Sequence, residues 1–324
     1  MKIAVYIAGL LGLALLTGLV IHADVPMMLH TWSKAGAALL WLVPYRMIFF
    51  ALYAVGWRAL LRPFDAAGKA DFGYVLWVTT VREAVDRLLP VASLGGGVVG
   101  VRLMRWRGLG LVPASATIIV EILLTLITVY LLGTVATLIL LGTGGHHPQV
   151  ITVLGLSVFI PLGCLLLLRY GSVFQRLQRF LKPMVGLTGG DAAISLDADL
   201  RRCLGRTAIL SMAGALQFVA LISASFEVWW ALRLFGHPVN VPAAIMLEGL
   251  TQAARHLAFI VPAGLGVQEA ALVLFGHTLG ISAELALTVS AVKRVREVLC
   301  GVPPLLWWQW LESRRMGHAR ATRG

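Results

Sequence analysis

The sequence predicts an all-α polytopic integral membrane protein: about six full spans plus two re-entrant, broken-helix hairpins related as an inverted repeat. Three observations carry that expectation. First, 59% of the 324 residues are hydrophobic and 13% charged, against about 45–50% and about 25% in an average soluble domain. Second, the apolar residues fall in uncharged or nearly uncharged runs, and about 20 residues suffice to cross a bilayer. Third, residues 74–101 and 243–280 mix apolar residues with charges and are interrupted by Pro and Gly. A water-soluble fold leaves too much surface in water to hide a mean hydropathy of +0.85. Soluble enzymes, disulfide scaffolds and disordered chains are therefore excluded, and residues 1–324 read as one membrane domain.

The elements follow in order. Residues 3–21 form the first span, too long for the roughly 7–15-residue apolar core of a cleaved signal peptide. Residues 37–142 form a first half-repeat: a span at 37–57, the broken hairpin at 74–101, and a span at 112–141. Residues 150–206 hold a connecting span at 150–168 and a basic amphipathic segment at 170–183 (YGSVFQRLQRFLKP), suited to lie along the cytoplasmic leaflet. Residues 207–311 form a second half-repeat: a span at 207–234, the broken hairpin at 243–280, and a span at 283–310.

Positive charge assigns the sides. Arg58, Arg62 and Lys69, then Arg102, Arg105 and Arg107, then seven Lys or Arg residues between 169 and 206, fall on one side with Arg314, Arg315, Arg320 and Arg323. The opposite connections hold only Lys34. Both termini are expected in the cytoplasm of a bacterial cell, with the chain in its inner membrane. The net charge of +12 suits anionic lipid headgroups, and no compact basic domain points to nucleic acid. Cys164, Cys203 and Cys300 are scattered and odd in number. His146-His147 has no third ligand nearby. Neither a metal nor another cofactor is expected.

The two hairpins echo each other. Leu89-Pro90-Val91-Ala92-Ser93-Leu94-Gly95 matches Val261-Pro262-Ala263-Gly264-Leu265-Gly266, and each is followed by a Leu-Gly-aliphatic turn, at 109–111 and 279–281. Pro90, Gly95, Gly96 and Gly97 mark the first break; Pro262, Gly264 and Gly266 mark the second. With the sides above, the breaks open from opposite faces, the arrangement of transporters with a midplane site. Non-helical backbone at that depth must be covered by protein or water.

An ionisable group at the bilayer centre costs about 2.5 kcal/mol or more, so each one inside a span is a candidate site residue. Arg87, Glu121, Arg255, Glu269 and Arg294 are expected to converge on one cavity and bind substrate. Arg46, Glu83, Glu248, Gln252, Gln268, Lys293 and Arg296 form a second tier. The spacing allows i,i+4 pairs Arg82–Asp86, Glu83–Arg87 and Lys293–Glu297. Thr117, Glu121, Thr125 and Thr128 share a face, the threonines suiting helix packing.

These residues also carry a resemblance. Pro262-Ala263-Gly264-Leu265-Gly266-Val267-Gln268-Glu269, with Gly280 and Lys293-Arg294, resembles the second-half signature of the lysylphosphatidylglycerol synthase transmembrane family. Arg87-Leu88-Leu89-Pro90 through Gly97, with Arg102, Gly110 and Glu121, resembles the first. Two positions depart: Asp86-Arg87 stand where the family often has Asn, and Ile122 follows Glu121 where it often has Arg. No segment resembles the aminoacyl-transferring domain of the full-length synthases. The resemblance therefore implies the flippase-like, lipid-translocating half, and within the family it is most similar to the hopanoid-biosynthesis-associated membrane proteins.

The expected function is translocation of a polar-headgroup or hopanoid-type lipid through an Arg/Glu-lined groove, by a protein that is not an enzyme. Membrane lipids, either anionic phospholipid or hopanoid, are the expected partners, with lipid-biosynthesis enzymes as further ones. An intramembrane lipid-modifying enzyme and a scaffold for lipid biosynthesis remain the alternatives. The first would need a nucleophile–base pair or metal cluster, and the motifs of neither stand in the sequence.

Overall fold

The computed structural model describes residues 35–89, 95–142 and 190–321, together with the single positions Pro26, Ser33, Phe159, Leu162 and Gly163. The span at 3–21, the break residue Pro90, His146-His147, Cys164, the amphipathic segment at 170–183 and nearly all of the span at 150–168 lie outside the described residues. Among the described residues every regular element is helical.

A 3-10 turn at Gly36–Trp41 runs into α1, Leu42–Leu61. The amphipathic α2, Phe72–Leu88, opens where the Asp71 carboxylate accepts the Tyr74 N–H at 2.9 Å, an N-cap that satisfies one orphan donor of the first turn. A short α3, Gly95–Trp106, leads into α4, Leu111–Gly142. Then come α5, Gly190–Leu204, and α6, Thr207–Leu234. Helix α7, Val241–Leu257, starts like α2: Asn240 accepts the Ala243 N–H at 2.9 Å, with Pro242 in the first turn. A 3-10 turn at Pro262–Gly264 separates it from α8, Val267–His277, and α9 spans Ala283–Ala321. Helix α9 extends beyond the expected end at 310 and carries Pro303 and Pro304 within it.

Three helical segments are long and apolar enough to cross a membrane by length and composition: Gly36–Phe64, Leu111–Gly142 and Thr207–Leu234. Large apolar side chains stand outward along them, with Leu138 and Val219 more than half exposed. The chain is thus a helical membrane protein.

Helix α1 packs along α6, α4 along α7, and α2 along α9. The short α3 rests on α2 and α4, and the short α8 on α7 and α9. Small residues permit the closest crossings. A Cβ on Gly249 of α7 would lie 2.8 Å from Ala136 Cβ on α4, and one on Gly301 of α9 would lie 2.7 Å from Leu88 Cδ1 on α2. Without a hydrophobic drive between helices in lipid, such backbone approach is a main source of packing energy.

One expectation changes. Gly95, Gly96 and Gly97 do not form the first break but the opening turn of α3. Gly96 is small because its neighbour is close: an added Cβ would sit 2.4 Å from the Arg82 carbonyl oxygen. Its N–H donates to Asp86 Oδ1 at 2.8 Å, which ties the end of α2 to the start of α3. At the second break the glycines do set the backbone: Gly264 and Gly266 have φ of +60° and +75°, a region L-residues with a Cβ avoid.

Candidate functional site

The charges that the sequence places in apolar segments are buried and paired. Lys293 Nζ on α9 lies 2.5 Å from Glu248 Oε2 on α7, and Gln252 Nε2 donates to Glu248 Oε1 at 2.7 Å. Arg82 Nη1 on α2 donates to Glu121 Oε2 on α4 at 2.6 Å, with its guanidinium 4.5 Å from the Trp57 ring centroid. Arg46 does not run to a lipid headgroup. It is 4% exposed, lies 3.4 Å from Glu83 and 3.5 Å from Glu227, and covers the Phe49 ring at 3.7 Å. Arg296 pairs with Glu227 as well.

Two of the expected intrahelical pairs give way to pairs between helices. Arg82 reaches Glu121 rather than Asp86, and Lys293 reaches Glu248 rather than Glu297. The reason is charge burial. Glu121 and Glu248 are 3% and 1% exposed, and an unpaired buried carboxylate costs more than a local i,i+4 contact returns. Glu83–Arg87 does form within α2, at 2.9 Å. Among the threonines, Thr117 accepts the Trp57 indole N–H at 3.3 Å and Thr128 bonds back to the Leu124 carbonyl.

The second break is stitched by arginine. Ala263 has φ +55°, a left-handed conformation unusual for a residue with a Cβ. Its carbonyl accepts from Arg294 Nη1 at 2.9 Å and from Arg255 Nη2 at 3.3 Å, and the Gly264 carbonyl accepts from Arg294 Nη2 at 3.2 Å. Unwound carbonyls away from water need donors, and the planar five-donor guanidinium supplies several at once. Carboxylates then neutralise both cations. Glu269 accepts from Arg294 Nε at 3.1 Å, while Glu297 lies 3.2 Å from Arg294 and 3.3 Å from Arg255. Arg255 also donates to Gln268 at 2.5 Å, and a chain runs on from Gln268 through Ser290 to Glu269, each step 2.8 Å.

Beside this network lies a cavity of about 360 Å³ between α1, α2, α4, α6 and α7, within the range of about 300–1,000 Å³ typical of ligand sites. Phe49, Tyr53, Leu126, Val129, Leu221 and Phe259 line its apolar part. Arg82, Glu83, Asp86 and Arg87 of α2, Glu121 of α4, and Gln252, Arg255 and His256 of α7 line its polar part.

Of the five residues expected to converge, Arg87, Glu121 and Arg255 form this wall. Glu269 and Arg294 stand one layer behind, joined to Arg255 through Glu297 and the Ala263 carbonyl. Glu83 and Gln252 of the second tier are on the wall. Arg46, Glu248, Gln268, Lys293 and Arg296 support it from behind. Arg46, Glu83, Arg87, Arg296 and Glu297 also border a second, water-sized space of about 10 Å³. The sequence reading missed Glu227 altogether, though a lone carboxylate inside the 207–234 span met the same criterion as Glu121. It ranked Glu297 too low: that residue is the shared counter-ion of Arg255, Arg294 and Arg296.

Fold and cavity together define a helical membrane protein with a charged internal chamber beside an interrupted helix. Residues 4–302 match the family model described as the lysylphosphatidylglycerol synthase TM region, and the chain belongs to that family. That membership fits a membrane function connected with lipid. Comparison with curated proteins and with solved structures yields no match.

Proposed function

We propose that the protein is a flippase-like lipid translocator of the bacterial inner membrane, carrying a polar-headgroup or hopanoid-type lipid through the Arg/Glu-lined chamber. The observation that carries this reading is the chamber itself: three arginines and three carboxylates share a wall with seven apolar side chains, Ile122 among them. A headgroup can exchange places with wall ion pairs while its tails follow the apolar lining. Arginine suits a phosphate because its fork binds two oxygens and stays charged.

Six spans with both termini in the cytoplasm, and two half-repeats of opposite orientation, complete the reading. Several features support the repeat. Helices α2 and α7 are each 17 residues long and each open on an Asx cap. Each is followed by a break and a short helix, and each packs on the long helix of the other half. Alternating access then amounts to one half rocking against the other about a central site.

The functional test is transfer of fluorescent phospholipid in proteoliposomes by wild type and Arg87→Gln. The expected result is headgroup transfer by wild type and a loss of about tenfold in the variant at matched protein level. Wild-type rates in Arg87→Gln, or no transfer above protein-free vesicles, would remove the reading. Topology is tested separately with single cysteines in a cysteine-free background. Position 237 is expected to react with an impermeant thiol reagent in intact cells and position 69 to be protected.

A further inference from the structure

Charge accounting narrows the ligand. The chamber wall holds Arg82, Arg87 and Arg255 against Glu83, Asp86 and Glu121. The layer behind it holds Arg46, Lys293, Arg294 and Arg296 against Glu227, Glu248, Glu269 and Glu297. Both layers are balanced among the described residues, and the undescribed residues 90–94 at the first break carry no ionisable side chain. The one histidine on the wall adds no charge in its neutral form: Nδ1 of His256 faces the Gln252 carbonyl at 2.9 Å. A carbonyl only accepts, so the proton sits on Nδ1 and Nε2 is left as an acceptor.

Valences of both signs are left open on the wall. Arg87 uses Nε to reach Glu83, and its Nη1 and Nη2 make no hydrogen bond among the described residues. On the same helix, Glu83 accepts from Arg46 and Arg87 through Oε1 only, and Asp86 accepts from Gly96 through Oδ1 only. Glu83 Oε2 and Asp86 Oδ2 are thus without partners among the described residues. Buried nearby, Arg82 Nε and Gln252 Oε1 also lack partners there. An anion alone would use the Arg87 fork and leave the balanced chamber with a net negative charge in a poorly solvated place, a costly state. A ligand carrying both signs leaves the balance intact.

Resting on the translocation reading, we infer that the chamber selects a zwitterionic headgroup, a phosphate joined to an ammonium that bears N–H donors. The phosphate takes the Arg87 fork, and the ammonium donates to Glu83 Oε2 and Asp86 Oδ2. Oxygen acceptors favour an ammonium with N–H groups over a quaternary one, which binds best inside an aromatic cage. Here the Phe49 face is already covered by Arg46.

The test is binding of short-chain phospholipids to the purified full-length protein in detergent, with dihexanoyl phosphatidylethanolamine, phosphatidylcholine and phosphatidylglycerol as probes. Phosphatidylethanolamine should bind about tenfold more tightly than phosphatidylglycerol, the ratio expected when one buried charge goes unpaired, with phosphatidylcholine between them. Asp86→Asn retains the Oδ1 acceptor for Gly96 but gives the wall one excess positive charge. The ratio should fall to near one or invert. Glu121→Gln, on α4, should shift it the same way, so a folding defect in one variant leaves the other to decide. Equal wild-type affinity for phosphatidylglycerol, or an unchanged ratio in a folded variant, overturns the inference. Selective binding without transfer in vesicles upholds it and removes the translocation reading; transfer without preference does the reverse.

Discussion

The two helix breaks use arginine in opposite ways. At the break between α7 and α8, Arg255 and Arg294 are spent on structure: their forks hold the Ala263 and Gly264 carbonyls, and Glu269 and Glu297 neutralise them. On the α2 side of the first break, Arg87 makes one hydrogen bond among the described residues, to Glu83, and lines the chamber. The restart of the chain there is secured by Asp86 and Gly96 instead. A charge beside a broken helix is therefore not a site by itself. It becomes a candidate when part of its guanidinium is left without a partner among the described residues, as at Arg87.

The sharpest way to break this comparison is to remove the counter-ion of the stitched half. Glu297→Ala leaves Arg255, Arg294 and Arg296 short of a buried carboxylate and should cost about 3–5 kcal/mol, read as a lower unfolding midpoint in detergent. A loss below about 1 kcal/mol would mean the second break is held by other contacts. Next, Arg294→Gln should destabilise by about 2 kcal/mol more than Arg87→Gln, because it strips charged hydrogen bonds from two carbonyls and two carboxylates. Equal losses would erase the distinction between a spent and an available arginine.

Close packing makes the two halves comparable again. Gly96→Ala and Gly249→Ala each place a Cβ well inside contact distance of a neighbouring helix, and each should cost about 1–3 kcal/mol by the same unfolding measurement. The smallest effect belongs to the periphery. Arg201 pairs with Asp197 at 2.8 Å on α5 but is 69% exposed, so Arg201→Ala should change stability by less than about 0.5 kcal/mol. A larger loss would give α5 a structural weight comparable to the breaks.

Much of this was legible in residues. The 207–234 span coincides with α6, and the 112–141 span lies one residue inside α4 at each end. Arg46, Glu121, Glu248 and Lys293 stood out as charges in apolar runs, and all four are buried. Pairing was less legible. The i,i+4 rule proposes Asp86 for Arg82 and Glu297 for Lys293, because along one helix only near neighbours can be listed from spacing. The true partners sit on α4 and α7, at distances of 39 and 45 residues along the chain. Likewise Gly95-Gly96-Gly97 read as a break, since glycine's permissiveness and its smallness look alike in a sequence. Only the nearby Arg82 carbonyl shows that smallness is what matters at Gly96.

The sequence by itself determined that this protein lives among lipids, that its helices alternate long apolar spans with short charged ones, and that charges gather in the interrupted stretches between the spans. Those properties are local: each residue's cost in hydrocarbon and each turn's backbone preference add up along the chain with little help from elsewhere. Tertiary structure alone decided which charges are spent and which stay available. That choice depends on the rotation and depth at which α2 meets α4 and α9, and α7 meets α4 and α9. Small changes in either would give Glu121, Glu248 or Arg87 a different partner, and no spacing along one helix records them.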